Sequence, residues 1–380
     1  MNCELVPVTR DNLDVLAKLA ADKDFNIVRS TRWFERLLFN DAIEEFRDDP
    51  VRGYMLKNEK GEYVGMQCFY PVRIYLRQDK KLAVSGAILG MKRRYVDWLG
   101  DIAGAVISRE GDRLRFGNTI ASKKAARIST FCSAYVDGPH EGECTRRYAM
   151  ITFLPIAALR RIHASSHWVL DPLWLLTHPL RVMKTWMKRI LKPKGQYLFK
   201  ELSSFSDERF GKLWKRILAA NDGVMSSREP EILRHYFDES IAAGTVDLIV
   251  VEGADGEFQG YVLLRKYRMY ETRHILKYKI IDICCVANDV SCLRQLVEES
   301  VIHAERHGGG LVEYIGANPN LDKWLDPILK HRRIYDHPTF MYYCPDSEPE
   351  MKQLLENGKG WFFGPYDGER CLGHGEYIDL

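Results

Sequence analysis

Asp282 lies within an apolar run, residues 280–286, and this position makes its carboxylate a candidate for acid–base chemistry. An unpaired charge buried in such a run would be costly, so the side chain needs a specific role. One role is catalysis, in which the carboxylate accepts a proton from a reacting group. The other is structural, with an arginine or backbone N–H groups as its partner. Glu313 and Tyr135 are further candidates for catalytic side chains.

A short basic run, Lys92, Arg93 and Arg94, comes just before a helical pattern that begins near Val96. Cationic side chains beside a helix N-terminus can hold the phosphates of a ligand. The alternative is a solvated turn, because short basic runs are often surface features. Asp97 would oppose an anion at this helix start.

The sequence predicts no metal site. Cys284 and Cys285 are adjacent on a predicted strand and point to opposite faces, and no pair of histidines has ligand spacing near them. The nine cysteines include no CxxC pair and no regular spacing. Free thiols in a reducing compartment are the expectation.

The elements that must position these residues occur twice, at an offset of about 195 residues. Gly61 to Gly65 and Gly256 to Gly260 mark two similar hairpins. The predicted elements around the hairpins keep about the same offset. They are helices at 11–21 and 207–219, apolar strands at 84–89 and 280–286, helices from 96 and 291, and strands at 113–117 and 311–316. We infer a duplicated unit, with chance similarity of two α/β domains as the alternative. The order of elements predicts a mixed sheet with helices on both faces.

This order of elements resembles the tandem GCN5-related N-acetyltransferase (GNAT) proteins, a group related to the FemAB-type aminoacyltransferases. The resemblance covers most of both halves and rests on element order and spacing. It implies an α/β (α+β mixed-sheet) fold with two GNAT-like acyl-CoA N-acyltransferase domains in tandem. In that family, acyl-CoA lies where the fourth and fifth strands separate. Acetyl-CoA or another acyl-CoA is therefore the expected co-substrate.

The resemblance also implies roles for residues near these strands. The family's glycine-rich phosphate turn is missing here, and Lys92, Arg93 and Arg94 take its place in the sequence. Asn118, followed by Ser122, opens the helix after the fifth strand, where the family often has an Asn that contacts the pantetheine arm. Helix capping is the alternative role for these two residues.

Between the two halves lies a segment of different composition. Residues 180–192 carry five basic residues and no acid, with apolar side chains at helical spacing on one face. Such a helix can lie in a membrane interface, or it can be a linker helix packed across two domains. The predicted units are a first GNAT-like domain at 1–160, a linker at 161–197, a second GNAT-like domain at 198–345, and a tail at 346–380 that packs on the body.

The charge and hydropathy of the sequence limit the classes of function that the protein can have. The 55 basic and 52 acidic residues nearly balance, so we expect no nucleic-acid partner. The N-terminus has no secretory signal, and no apolar stretch is long enough to cross a membrane. We therefore expect a cytoplasmic protein, peripheral at the inner membrane face if residues 180–192 bind lipid.

The leading functional hypothesis is acyl transfer from acyl-CoA to an amine or hydroxyl of a polar small molecule or glycolipid, with cell-envelope precursors as one class of acceptor. A catalytically silent GNAT-like binding scaffold is one alternative. FemAB-like aminoacyl transfer is the other, and the second half lacks the inserted helical arm of that group.

Overall fold

Two mixed β-sheets form the frame of the protein. The computed structural model describes residues 2–25, 27, 29–111, 113–118, 145–151, 179–180, 183, 187, 197–269, 272–316, 325, 328–329, 331–334, 340–356 and 366. The first sheet contains, in spatial order, β1 (Cys3–Pro7), β2 (Gly53–Asn58), β3 (Tyr63–Leu76), β4 (Asp79–Met91), β5 (Leu114–Asn118) and β14 (Phe340–Tyr343), and β8 (Val224–Ser226) also pairs with β3. The second contains β13 (His331–Ile334), β6 (Thr145–Met150), β12 (Gly309–Gly316), β11 (Thr272–Cys285), β10 (Phe258–Met269), β9 (Val246–Glu252) and β7 (Leu198–Leu202).

Seven α-helices with defined bounds pack on these sheets in the described part of the chain. They are α1 (Leu13–Ala20), α2 (Thr31–Leu38), α3 (Leu99–Glu110), α4 (Arg209–Ala219), α5 (Pro230–Ala242), α6 (Val290–Arg306) and α7 (Pro349–Glu356). Local signals account for several helix starts. Ser30 caps α2 by accepting a hydrogen bond from the Trp33 N–H, and Pro230 occupies the first position of α5. No described helix has the length and apolar character needed to span a membrane.

The two sheets repeat one topology. In each, an antiparallel hairpin is followed by a long strand, a helix and a strand parallel to the long one: β2, β3, β4, α3 and β5 in the first, and β9, β10, β11, α6 and β12 in the second. The hairpin glycines match in backbone conformation, with φ of 80° at Gly61 and 78° at Gly256. The predicted α/β mixed-sheet fold class is confirmed. Duplication remains our interpretation of how the repeat arose.

Each sheet also takes strands from the other half of the sequence. β6 pairs with β12 in the second sheet, whereas β14 and β8 pair with β5 and β3 in the first. The domain boundaries predicted from the repeat do not anticipate this exchange, because a short edge strand carries no sequence signal for the sheet it joins. The two halves are therefore interlocked through backbone hydrogen bonds.

The largest apolar core spans both halves. It joins Phe34 and Leu37 of α2 to Phe237 and Ile241 of α5, and continues under both sheets. At its edge, Arg36 donates hydrogen bonds to the Glu239 carboxylate and to the Ser240 hydroxyl. A second core lies between the other face of the second sheet and α6. Because one core serves both halves, neither half packs independently of the other.

The matched hairpin glycines predict matched stability effects. We expect Gly61→Ala and Gly256→Ala each to destabilise the protein by about 1–2 kcal/mol, because side chains at positive φ are strained even where space is available. Gly104→Ala is the control, since Gly104 is an exposed residue within α3 with open space around it, and alanine there should stabilise by about 1 kcal/mol. Urea denaturation measures all three. A neutral effect at either turn would contradict the backbone argument.

Candidate functional site

The long strand β4 loses its parallel neighbour before it ends. Its pairing with β5 covers Ala83 to Ser85, opposite Leu114 to Phe116, whereas its pairing with β3 continues to Met91. Within the described residues, no strand pairs with the β5 side of β4 beyond Ser85. The result is a wedge between β4 and β5, hereafter the first wedge, where the β4 edge has backbone N–H and C=O groups that no strand in the described part of the chain pairs with.

The second sheet contains the corresponding wedge. The parallel pairing of β11 with β12 ends at Ile280 opposite Tyr314, and β11 continues beside β10 to Cys285. Ser85 and Ile280, the last paired residues, are again 195 positions apart. Each wedge lies beside a bulge in the antiparallel ladder, between Gln67 and Phe69 in the first sheet and between Leu263 and Leu264 in the second. Bulges bend strands and redirect side chains, and they are common next to active sites.

The two wedges differ in exposure. All five residues of β11 past the last pair, 281–285, are buried. The end of β4 is more open, because Leu89 is 37% exposed and Arg93 and Arg94, just after it, are exposed. In the described part of the chain, the end of the long strand is therefore buried at the second wedge and more exposed at the first.

The helices that follow the two wedges also differ. Asp289 caps α6, with its Oδ1 accepting hydrogen bonds from the N–H groups of Ser291 at 2.8 Å and Cys292 at 3.4 Å. The cap gives this helix end an internal carboxylate. In the first half a 3-10 turn, Arg93–Trp98, precedes α3, and no side chain in the described part of the chain caps α3. The helix therefore starts at Leu99, later than the sequence pattern suggested. Asp101 lies in its first turn.

The three basic residues at the first wedge differ in how closely they pair with acidic side chains. Lys92 Nζ lies 2.9 Å from Asp22 Oδ2, and this hydrogen bond lowers the pKa of Asp22. Arg94 lies 3.6 Å from the Glu62 carboxylate and stacks over the Tyr95 ring at 5.0 Å. Arg93 is exposed and has no ion-pair partner among the described residues. Arg93 is therefore the most available cation for an anionic ligand.

Asp282 lies in a buried ion pair. Arg228 Nη2 donates to Asp282 Oδ1 at 3.1 Å, Arg228 Nε lies 3.2 Å from Oδ2, and Tyr261 donates its hydroxyl to Oδ2 at 2.5 Å. Both charged side chains are almost fully buried. Burial raises the pKa of Tyr261 well above its usual value, so Tyr261 remains a donor. These contacts fit the structural role that the sequence offered as the alternative for Asp282.

The other candidate site residues predicted from the sequence are Glu313, Asn118, Tyr135 and Ser122. Glu313 is buried on β12, where its carboxylate lies 3.2 Å from Lys277 Nζ. Asn118 is the last residue of β5, with its backbone paired to Phe340 of β14. Tyr135 and Ser122 lie outside the described residues. The sequence-predicted acids are thus on the second sheet, and the structure does not bring them to the first wedge.

A second ion-pair network was not predicted from the sequence. Glu229, the neighbour of Arg228, accepts hydrogen bonds from Arg73 and from the Tyr75 hydroxyl on β3. Arg73 also donates to Glu45 at 2.8 Å. Burial alone would raise the pKa of Glu45, but hydrogen bonds from Lys80 and Arg73 lower it to about 2. Two consecutive residues therefore pair with different sheets, Arg228 with the second and Glu229 with the first.

A small cavity of about 20 Å³ lies beside this network. It is lined by Tyr70, Pro71, Val72 and Arg73 of β3, by Ser226 and Ser227, and by Ile43, Ile232, Tyr236 and Tyr366. Tyr70 pairs with Ser85 in the ladder, so the cavity is one strand away from the first wedge. Tyr366, from the predicted tail, donates its hydroxyl to the Ser227 carbonyl at 2.6 Å. The space suits about one water molecule.

Several buried polar atoms in this region lack a hydrogen-bond partner in the described part of the protein. They include Arg73 Nε, Ser226 Oγ and Ser85 Oγ. Such groups are usually satisfied, so each can be paired by a water or ligand atom. Ser85 had a visible sequence signal, as a polar residue within the apolar run 83–89. The approach of residues 226–229 to β3 had none, because it is a long-range contact.

The fold has known counterparts, although no family model and no curated protein matches the sequence. Saccharomyces cerevisiae N-myristoyltransferase with bound myristoyl-CoA is similar, with a TM-score of 0.56 and 11% identity over 90% of this chain and 79% of that one. The GCN5-related N-acetyltransferase from Anabaena variabilis ATCC 29413 gives a TM-score of 0.54 and 10% identity, covering 90% and 72%. The chain has the GNAT fold. A probable N-acyltransferase from Enterococcus faecalis V583 is also similar, with a TM-score of 0.54 and 9% identity over 91% and 73%.

The buried pair makes a testable prediction about stability. Arg228→Met should destabilise the protein by about 3–5 kcal/mol, because it leaves the Asp282 carboxylate buried without its cation. The double variant Arg228→Met with Asp282→Asn should recover much of this loss, since no unpaired charge remains. Urea denaturation measures both, with the exposed Arg234→Met on α5 as the control. Equal losses for Arg228→Met and Arg234→Met would show that the pair is not formed.

Proposed function

We propose that the protein transfers an acyl group from acyl-CoA to an amine or hydroxyl of a polar acceptor, and that acyl-CoA binds in the first wedge. The observation that carries this proposal is the asymmetry between the wedges. Among the described residues, the strand end at the first wedge is more exposed, the helix after it has no side-chain cap, and Arg93 has no ion-pair partner, whereas the second strand end is buried and its helix is capped with Asp289. The similar yeast enzyme was crystallised with bound myristoyl-CoA.

The free edge of β4 suits the pantetheine arm of the coenzyme. The arm is an extended chain with two amide groups, and an extended ligand can pair with an open strand edge as an added strand would. Beyond Ser85, the β5 side of β4 offers N–H and C=O groups for this pairing. The amide hydrogen bonds would fix the arm along the strand and place its thioester near the ladder end at Ser85.

The coenzyme phosphates would lie at the basic turn before α3. Arg93 has no ion-pair partner in the described residues, and Arg94 has only an exposed contact with Glu62. The positive end of the helix dipole adds to this attraction, and Asp97 and Asp101 at the helix start offset part of it. The pyrophosphate would thus be held at one end of the wedge while the acyl group enters the other.

The reaction at the ladder end would be a direct transfer. The deprotonated amine, or a hydroxyl that loses its proton, attacks the thioester carbonyl, the new C–N or C–O bond forms, and the C–S bond breaks to release the CoA thiol. Backbone N–H groups on the β5 side of β4 would stabilise the negative charge on the carbonyl oxygen. The Ser85 hydroxyl, buried without a partner among the described residues, is a further donor at this position.

Coenzyme binding tests this proposal. Calorimetry with acetyl-CoA and with a longer acyl-CoA should detect one site on the wild type. Each charge-assisted contact to phosphate contributes about 1.5–3 kcal/mol, so the double variant Arg93→Ala and Arg94→Ala should bind at least about tenfold more weakly if both side chains engage. Arg294→Ala, an exposed change on α6 in the second half, is the matched control.

The outcomes separate the hypotheses. No heat with any acyl-CoA would overturn the enzyme proposal in favour of a catalytically silent scaffold. If the wild type binds acyl-CoA and the double variant binds it equally well, the protein still binds acyl-CoA, but the basic turn is not part of its binding site. Equal weakening by Arg294→Ala would place the phosphates in the second half.

We also propose that the linker contacts an anionic membrane surface. Leu180, Met183 and Met187 are helical and 60%, 50% and 45% exposed. Their spacing places them on one helical face. Residues 180–192 carry five basic residues and no acid, which suits acidic lipid headgroups. A glycolipid acceptor at the inner membrane face would be within reach of a protein held in this way.

Lipid sedimentation tests the linker proposal. The wild type should pellet weakly with vesicles containing anionic lipid and should remain in solution with neutral ones. Replacing Leu180, Met183 and Met187 together with Ser should abolish pelleting, because the exposed apolar face would be lost. Acyl-CoA binding should be unchanged in this variant. Pelleting that does not depend on these three residues would contradict the assignment.

A further inference from the structure

His303 and His307 lie one helical turn apart at the carboxyl end of α6, beside Glu201 on the edge strand β7. One ligand-type atom from each of the three side chains lies within 4.8 Å of the other two. The two imidazole rings are 4.2 Å apart, with an interplanar angle of 36°. Side chains from a helix and a strand thus converge on one point, on the second half and separate from the first wedge.

The hydrogen bonds around His303 define which of its ring nitrogens carries hydrogen. His303 Nε2 lies 2.8 Å from Asp247 Oδ2, and Lys266 Nζ lies 2.7 Å from the other oxygen of that carboxylate. Both oxygens of the Asp247 carboxylate therefore face a donor group and act as acceptors. Nε2 therefore carries hydrogen.

The other ring nitrogen faces a second carboxylate. His303 Nδ1 lies 3.0 Å from Glu201 Oε1. If His303 is neutral with hydrogen on Nε2, then His303 Nδ1 and Glu201 Oε1 are both acceptors, and a positive ion must lie between them. A proton on Nδ1 is one solution and a metal ion is the other. Asp247 behind His303 has the arrangement of a carboxylate that orients a metal-binding histidine.

The third side chain also presents a lone pair. His307 Nδ1 lies 2.9 Å from the carbonyl oxygen of His303, and as the donor in this contact it leaves Nε2 as an acceptor. Two imidazoles and one carboxylate form a ligand set that zinc commonly takes, with a fourth position open.

We propose that Glu201, His303 and His307 bind a divalent transition-metal ion, with zinc as the best fit. Bonds of about 2.0–2.1 Å to zinc place ligand atoms about 3.3 Å apart. The distance of 3.0 Å from His303 Nδ1 to Glu201 Oε1 is already close to this value, whereas ligand atoms in the cluster lie up to 4.8 Å apart, so the cluster must tighten around His307. It can do so because Glu201 is 59% exposed and His307 is exposed, and both can change rotamer. The ion would join the edge strand β7 to α6 and stabilise the second half.

Metal titration of the full chain tests this inference. Protein freed of metal by chelator dialysis should bind Co²⁺ and Zn²⁺ at one equivalent. The cobalt form should have weak visible bands without an intense thiolate charge-transfer band, because the ligands are nitrogen and oxygen. Glu201→Gln and His307→Gln should each weaken binding at least tenfold, while the exposed Glu231→Gln should have no effect. Both test positions are exposed, so these variants should fold.

Thermal unfolding distinguishes the metal from the proton. Zinc should raise the Tm of the wild type and should not raise that of Glu201→Gln. The inference is wrong if zinc leaves the wild-type Tm unchanged and no stoichiometric cobalt spectrum forms, since a protonated His303 would then account for the geometry. It is also wrong if a thiolate band appears, because cysteines would then be the ligands. Acyl-CoA binding is independent of either result.

Discussion

A strand that loses a neighbour before it ends must satisfy its backbone groups in another way. In both sheets the parallel ladder stops at corresponding residues, Ser85 and Ile280, while the long strand continues for several residues. The second sheet surrounds its strand end with buried side chains and caps the next helix with Asp289. The first sheet leaves its strand end more exposed and its helix uncapped. One topology thus creates two wedges, and only the local side chains make them different.

The two halves are held in place by charge as well as by the shared apolar core. Arg228 pairs with Asp282 on the second sheet, and its neighbour Glu229 pairs with Arg73 on the first. Burying such groups is tolerable because each has a partner of opposite charge, and removing one partner leaves the other costly. This segment also lines the cavity next to β3, so the contact that joins the sheets shapes the region beside the first wedge.

Local patterns predicted the elements, and long-range contacts decided the roles of the site residues. The hairpins at Gly61 and Gly256 and the strand predicted at 280–286 follow from short-range signals, and the structure has both hairpins and a strand that ends at Cys285. The apolar run around Asp282 correctly predicted that this residue is buried. Its partner Arg228 is 54 residues away in the sequence and cannot be found from spacing. The same limit hid the third side chain beside His303 and His307, which comes from a distant strand. The exchange of β6 and β14 between the sheets is likewise a property of the folded chain.

The central claim is that acyl-CoA pairs with the open edge of β4 in the first half. Hydrogen exchange with mass spectrometry tests it most directly, because the amides concerned belong to a short segment. Adding acyl-CoA should slow exchange in the peptide that contains residues 86–91 and should leave the peptide that contains residues 281–285 unchanged. Protection of the second segment alone, or of neither segment while acyl-CoA is bound, would contradict the account.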